Sequence, residues 1–186
     1  MKKFTIAILV NNQFGVLNRV TSMFRRRQFN ITSLTVSETE SEEFSRITVQ
    51  SEGDEVKKEQ LINQLYKLPD GVSIAELDNL DTVNRELLLI KVRNDPNVRG
   101  EISAASDAYE GKIVDFTKDS IIIQMVGDSR KIDNFVALMK EYDILEICRT
   151  GVVSLQRGAT TIRRVTNLKS HRFPLHGAKY ISRHAS

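Results

Sequence analysis

Asn12-Gln13-Phe14-Gly15-Val16-Leu17 is the segment of this chain whose residue types and spacing come nearest to ligand chemistry. It follows an apolar run, Phe4 to Val10, and precedes apolar residues at helical spacing, so a strand hands over to a helix here. The free N–H groups of a helix start favour a carboxylate or phosphate. Gly15 removes the side chain that would block close approach, and the Asn12 amide can both donate and accept hydrogen bonds. Together these groups could hold the charged end of a small amino acid. A second stretch, Asn30-Ile31-Thr32-Ser33-Leu34-Thr35-Val36, offers an amide at Asn30 and apolar contact at Ile31. An ordinary strand-to-helix turn and a capped strand start account for the same residues, and spacing alone favours those plain readings.

Other chemistry is scarce. The histidines, His171, His176 and His184, all lie in the last sixteen residues. That argues against a Ser-His-Asp triad, a Cys-His pair or a His-ligated metal site in the main body, so neither a catalytic residue nor a metal site is expected. A single cysteine, Cys148, excludes a disulfide within the chain and reads as a small buried residue of the last strand. Glu38, Glu40, Glu42 and Glu43 read as a solvated hairpin tip, and Arg25-Arg26-Arg27 as a basic last helical turn that complements the helix dipole.

The elements that must position these residues follow from periodicity. After the Phe4–Val10 strand, Val16, Leu17, Val20, Met23 and Phe24 recur at helical spacing. Ile31 to Thr39 and Phe44 to Ser51 read as a hairpin. Asp54 caps a second helix with Leu61, Ile62 and Leu65 inward, and Val72 to Leu77 forms a fourth strand. This βαββαβ order then repeats: a strand over Leu87 to Val92, a helix to about Tyr109, a hairpin of Ile113–Phe116 and Ile121–Val126, a helix from Gly127-Asp128-Ser129, and one strand from Ile144 to Leu155. Ile47-Thr48-Val49-Gln50 before Gly53-Asp54 echoes Ile121-Ile122-Ile123-Gln124 before Gly127-Asp128. Ile8, Val10 and Asn12 likewise echo Ile90, Val92 and Asn94. The sequence thus predicts an α+β protein of two tandem ferredoxin-like βαββαβ domains, residues 1–79 and 80–158, joined near Asn79 to Arg85. Each antiparallel sheet carries both helices on one face, and the other face needs a cover from a partner subunit or the second unit.

The chain of 186 residues is 40% hydrophobic and 27% charged, an ordinary soluble composition, with a formal net charge of +3. That charge is unevenly spread: residues 1–158 hold 21 Lys and Arg against 24 Asp and Glu, whereas 159–186 holds six basic residues and no acid. Residues 159–186 read as a mobile basic tail, and the basic balance is no argument for a nucleic-acid partner of the body. No apolar run is long enough for a membrane helix, and a cytoplasmic protein is expected.

The run Ile8 to Val20, then Phe24, Arg26-Arg27-Gln28-Phe29-Asn30-Ile31, Ser33-Leu34-Thr35-Val36 and Ser45-Arg46-Ile47-Thr48-Val49, resembles the small, regulatory subunit of acetolactate synthase (acetohydroxyacid synthase). Arg85-Glu86-Leu87, Thr150-Gly151-Val152-Val153 and Arg157-Gly158 fit the same family, and the resemblance covers Met1 to about Gly158. It implies an N-terminal ACT domain and a C-terminal domain of related topology. It further implies a homodimer with side-by-side ACT sheets, which binds a branched-chain amino acid, chiefly valine, at the interface. The subunit would bind and activate the large catalytic subunit and make it sensitive to feedback inhibition. Thiamine diphosphate, FAD and magnesium would reside on that partner, with no cofactor in this chain. Asn12, Gly15, Val16 and Leu17 match the loop at the effector's charged end, and Asn30 and Ile31 the contact from the other protomer. Phe14 departs from the Pro or small residue many members carry before the glycine. Two other readings suit the pattern: a stand-alone ACT-type amino-acid sensor with another target, and an RNA-binding module. The RNA reading lacks the central-strand aromatic residues that stack bases.

Overall fold

In the computed structural model the described residues are 2–77 and 81–164. They form two repeats, each of one sheet and two helices, in the order β1(Lys2–Asn11), α1(Val16–Arg26), β2(Ile31–Glu38), β3(Phe44–Gly53), α2(Glu55–Leu65), β4(Gly71–Glu76), β5(Thr82–Arg93), α3(Arg99–Ala108), β6(Lys112–Phe116), β7(Ser120–Gly127), α4(Ser129–Met139), β8(Ile144–Arg149) and β9(Val153–Gln156). The first sheet has strand order β2-β3-β1-β4, and the second β6-β7-β5-β8 with β9 pairing β5. The predicted α+β repeat of βαββαβ units is therefore observed, with two helices to each sheet.

Period-2 alternation builds each core. Phe4, Ile6, Ile8 and Val10 of β1 pack with Ile47 and Val49 of β3 and with Val16, Val20, Met23 and Phe24 of α1. Leu88, Ile90 and Val92 of β5 pack in the same way with Ile121, Ile123, Ile132, Phe135 and Met139. The Gly-Asp echo is a repeated helix cap. The Lys57 N–H donates to Asp54 Oδ1 at 2.8 Å, and the Lys131 N–H donates to Asp128 Oδ1 at 2.8 Å.

Four expectations change. The expected connector over Asn79–Arg85 is strand from Thr82 onward, because β5 extends to pair Thr82–Arg85 with β9. The single strand expected over Ile144–Leu155 is broken at Thr150–Val152, where Gly151 adopts φ +76°, a left-handed conformation that an L side chain resists. Cys148 is exposed rather than buried, since it lies on the second sheet's open face opposite Leu89.

The fourth change is that residues 159–164 join the second unit, one of the two expected covers, on the first sheet. The segment after β8 crosses its helix-free face. The Val152 N–H donates to Ser33 Oγ (3.2 Å), Thr35 Oγ1 donates to the Thr150 carbonyl (3.0 Å), and Arg46 Nη2 donates to the Ser154 carbonyl (2.7 Å). A 3-10 turn at Ile162–Arg164 then lays Ile162 on Ala7, Ala75 and Leu77, and the Ile162 carbonyl accepts from Ser73 Oγ. Residues 159–164, expected in the mobile tail, thus pack on the first unit. The remainder of that expected tail, with all three histidines, lies outside the described residues.

Candidate functional site

The end of β1 opens onto the loop at residues 12–15. Gly15 sits at φ +82° immediately before α1, and no side chain caps that helix. The Val16 N–H is engaged by the Gln13 carbonyl (3.3 Å). The next N–H groups of the first turn have no intrahelical partner by geometry, so the helix start presents backbone donors and positive potential. A side chain at position 15 would strain the left-handed turn and approach Arg19 Nη1 to 3.3 Å. Arg19 Nε pairs with Asp70 Oδ2 at 2.6 Å and ties α1 to the turn before β4. An open depression here is lined by Asn12, Gln13, Phe14, Gly15, Leu17 and Asn18. Phe14 is fully exposed and Leu17 is 41% exposed.

The Asn12 side chain is held on three sides. Its amide nitrogen donates to Glu38 Oε1 (3.2 Å) and to the Glu42 carbonyl (3.0 Å), and its oxygen accepts from Ser45 Oγ (3.0 Å). Asn12 therefore fastens the loop to the β2–β3 hairpin and retains one acceptor lone pair. The echo residue in the second unit does the same work: the Asn94 N–H donates to the Asp119 carbonyl, and its amide donates to the Thr117 carbonyl (2.5 Å). There the resemblance stops. Asn94 is buried and its oxygen accepts from Arg99 Nε (2.8 Å), with Arg99 stacked over Phe116. Asn12 is exposed at an open loop.

Glu38 and Ser45 are the residues that sequence reading missed. Ser45 lies opposite Val10 across β1–β3, and Glu38 opposite Ser45 across β2–β3. Only the register brings them beside Asn12. Val16 is buried in the first core, so its contribution to the depression is backbone alone.

Within one chain, Asn30 and Ile31 are not near Asn12. Ile31 pairs with Ser51, which pairs with Phe4, so Ile31 stands at the far end of the sheet. The Phe4–Asn11 stretch spans about 23 Å at about 3.3 Å per residue. The Asn30 carbonyl accepts from Ser51 Oγ at 2.6 Å. Among the described residues no group of three or more His, Cys, Asp or Glu is arranged to hold a metal ion, and no helix is long and apolar enough to cross a membrane.

A second polar cluster joins Glu86, buried at 4% exposure, to Arg149. Arg149 Nε and Nη2 donate to Glu86 at 2.6 and 3.0 Å, and Arg149 Nη1 donates to Asp133 of α4 at 2.8 Å. The Glu86 hydrogen bonds hold the guanidinium above its ordinary pKa, against the opposing effect of burial.

Two family profiles match this chain: an AHAS small subunit-like ACT domain over residues 6–73, and the small subunit of acetolactate synthase over residues 85–158. The chain is 47% identical over 156 residues to the probable acetolactate synthase small subunit of Archaeoglobus fulgidus, covering 84% of this chain and 98% of that protein. It is 42% identical over 160 residues to the acetolactate synthase small subunit of Bacillus subtilis, covering 84% and 91%. The crystal structure of the acetolactate synthase small subunit from Thermotoga maritima superposes with a TM-score of 0.78 at 36% identity, over 86% of this chain and all of that one. The βαββαβ repeat, the Asn12–Gly15 loop on the first copy only, and these matches across both units place the chain in the family of acetolactate synthase small subunits.

Proposed function

We propose that this chain is the non-catalytic regulatory subunit of acetolactate synthase. It binds and activates the large catalytic subunit and makes it sensitive to feedback inhibition by valine or a related branched-chain amino acid. The observation that carries this reading is the placement of the two predicted effector segments at opposite ends of one free edge strand. β2 has a neighbour on one side only. Asn12 is bonded to Glu38 at one end of β2, and Asn30-Ile31 stands at the other.

An antiparallel pairing of β2 with β2 of a second copy, about a dyad between Leu34 and Thr35, brings Ile31 of one protomer beside Asn12 of the other. Two equivalent sites result, each completed by both protomers. In each, the unpaired N–H groups of the first turn of α1, beginning at Leu17, face the effector's carboxylate, while the Val16 backbone, held by the Gln13 carbonyl, shapes the turn. The Glu38 carboxylate and the Asn12 oxygen accept from its ammonium. Leu17, Phe14 and the partner's Ile31 meet its aliphatic side chain. The bulk of Phe14 bears on which aliphatic side chain fits. The pairing of β2 edges also removes an exposed strand edge from solvent.

In this reading residues 1–79 are the ACT regulatory domain, 80–158 the second ferredoxin-like domain and 159–186 a basic extension. Thiamine diphosphate, FAD and magnesium belong to the catalytic partner, and the complex works in the cytoplasm. Titration calorimetry of valine, leucine and isoleucine against the chain, with sedimentation at each saturation, tests it. The expected result is a dimer binding one of the three at two sites per dimer. A monomer, or a dimer that binds none of them, contradicts it.

A further inference from the structure

We propose that Ser33, Thr35 and Gly151 form the clamp through which the second unit reads the effector. This rests on the regulatory reading above. β2 is the strand that both effector sites touch, Ile31 at one end and Glu38 at the other, and the clamp grips it between those ends. The Thr35 hydroxyl donates to the Thr150 carbonyl at 3.0 Å, and Ser33 Oγ accepts from the Val152 N–H at 3.2 Å. Gly151 lies between these two contacts, at φ +76°, and a Cβ there would stand 1.9 Å from Ser33 Oγ. A Cβ there displaces Ser33 Oγ from its bond to the Val152 N–H, and the left-handed φ itself disfavours an L side chain.

The other side of the clamp is fixed to the second unit. Thr150 continues the β5–β8 pairing: its N–H donates to the Leu87 carbonyl at 3.1 Å, and its hydroxyl accepts from the Leu87 N–H at 3.1 Å. Arg149, one residue earlier, is held by Glu86 and by Asp133 of α4. Thr150 thus bonds the second sheet through its amide and hydroxyl, and the effector strand through its carbonyl. Arg46 on β3 adds a parallel tie to the Ser154 carbonyl at 2.7 Å. Burial lowers the Arg46 pKa, and it makes no ion pair among the described residues, so this tie holds position without a competing carboxylate. A shift of β2 on effector binding is therefore passed to residues 150–152 and from there to β5, β8 and α4. The effector changes the second unit only by the difference in its affinity for the two clamp arrangements.

The test uses the small subunit mixed with its catalytic large subunit. Thr35→Val removes the hydroxyl donor, Thr35→Ser keeps it, and Gly151→Ala displaces Ser33 Oγ from the Val152 N–H. Valine affinity is measured on each small subunit alone, and stimulation and valine inhibition on each reconstituted enzyme. For Thr35→Val and Gly151→Ala we expect valine affinity within about threefold of wild type and stimulation retained. Valine inhibition should then shrink by most of its wild-type extent, the loss of a coupling that ordinarily spans about 5- to 150-fold. Thr35→Ser should restore it. Inhibition unchanged in both disruptive variants overturns the clamp, and so does affinity lost in step with inhibition, which marks a merely structural role. Should the wild-type chain bind valine and stimulate the enzyme without inhibiting it, the clamp has no signal to carry and falls, while the subunit assignment stands.

Discussion

At the residue scale, both donors of the Asn12 amide are taken, one by Glu38 and one by the Glu42 carbonyl. The side chain shapes the loop at residues 12–15 as much as it would touch a bound effector. Asn12→Ala removes three hydrogen bonds at an exposed position, so stability should fall by only about 1 kcal/mol. Valine affinity should fall by about tenfold or more, because the ammonium loses one acceptor and the loop loses its tether, about 1.4 kcal/mol or greater. Calorimetry on the folded variant checks both values, and unchanged affinity would move the site elsewhere. Glu86→Ala is the contrasting case. It leaves Arg149 without its buried partner, and unfolding in urea should show a loss of about 2 kcal/mol. Asn12 and Gly15 are legible in sequence because a strand-to-helix turn is a local event. Glu38 and Ser45 are illegible because they reach Asn12 only through the register of two strand pairings. In sequence Glu38 belongs to an acidic run that reads as a solvated tip; that holds for Glu42 and Glu43, both exposed, whereas Glu38 bonds Asn12.

The elements themselves were mostly written in hydrophobic period. The spacing of Val16, Val20, Met23 and Phe24 marks one face of α1, and those four residues are the ones buried. Phe24→Ala should cost about 3–5 kcal/mol, since the ring is 1% exposed and packs edge-on against Phe29. Thermal unfolding measures it, and a loss below about 1 kcal/mol would mean that the first core does not rest on this helix. The break between β8 and β9 was not legible. Apolar residues run through Val152-Val153 and hide it, and a lone glycine in a strand pattern does not declare its φ. What forces the break is tertiary: the chain leaves the second sheet at Thr150 to cross the first. Cys148 follows the same logic, because alternation puts it on a face that none of the described residues covers, and it is exposed there.

At the scale of the whole molecule, the helix-free face of the first sheet is covered by the chain's own residues 150–164. Cutting after Gly158 exposes Ala7, Ala75 and Leu77 by removing Ile162, and should lower stability by about 1–2 kcal/mol. Cutting after Arg164 keeps Ile162 in place and should retain that contribution. Valine binding should survive both cuts, because neither removes a residue of the loop or of β2. Loss of binding in the longer form would show that the basic extension belongs to the site. The division of charge supports treating that extension apart, since residues 1–164 carry a net −1 and the last 22 residues +4. The central claim is that the chain regulates a catalytic partner, and reconstitution tests it most directly. Increasing amounts of the chain are added to the acetolactate synthase large subunit, with and without valine, and acetolactate formation is followed. The account predicts no activity from the chain alone, a saturable rise in large-subunit activity, and a fall toward the unstimulated rate as valine is added. No stimulation at any subunit ratio would contradict it.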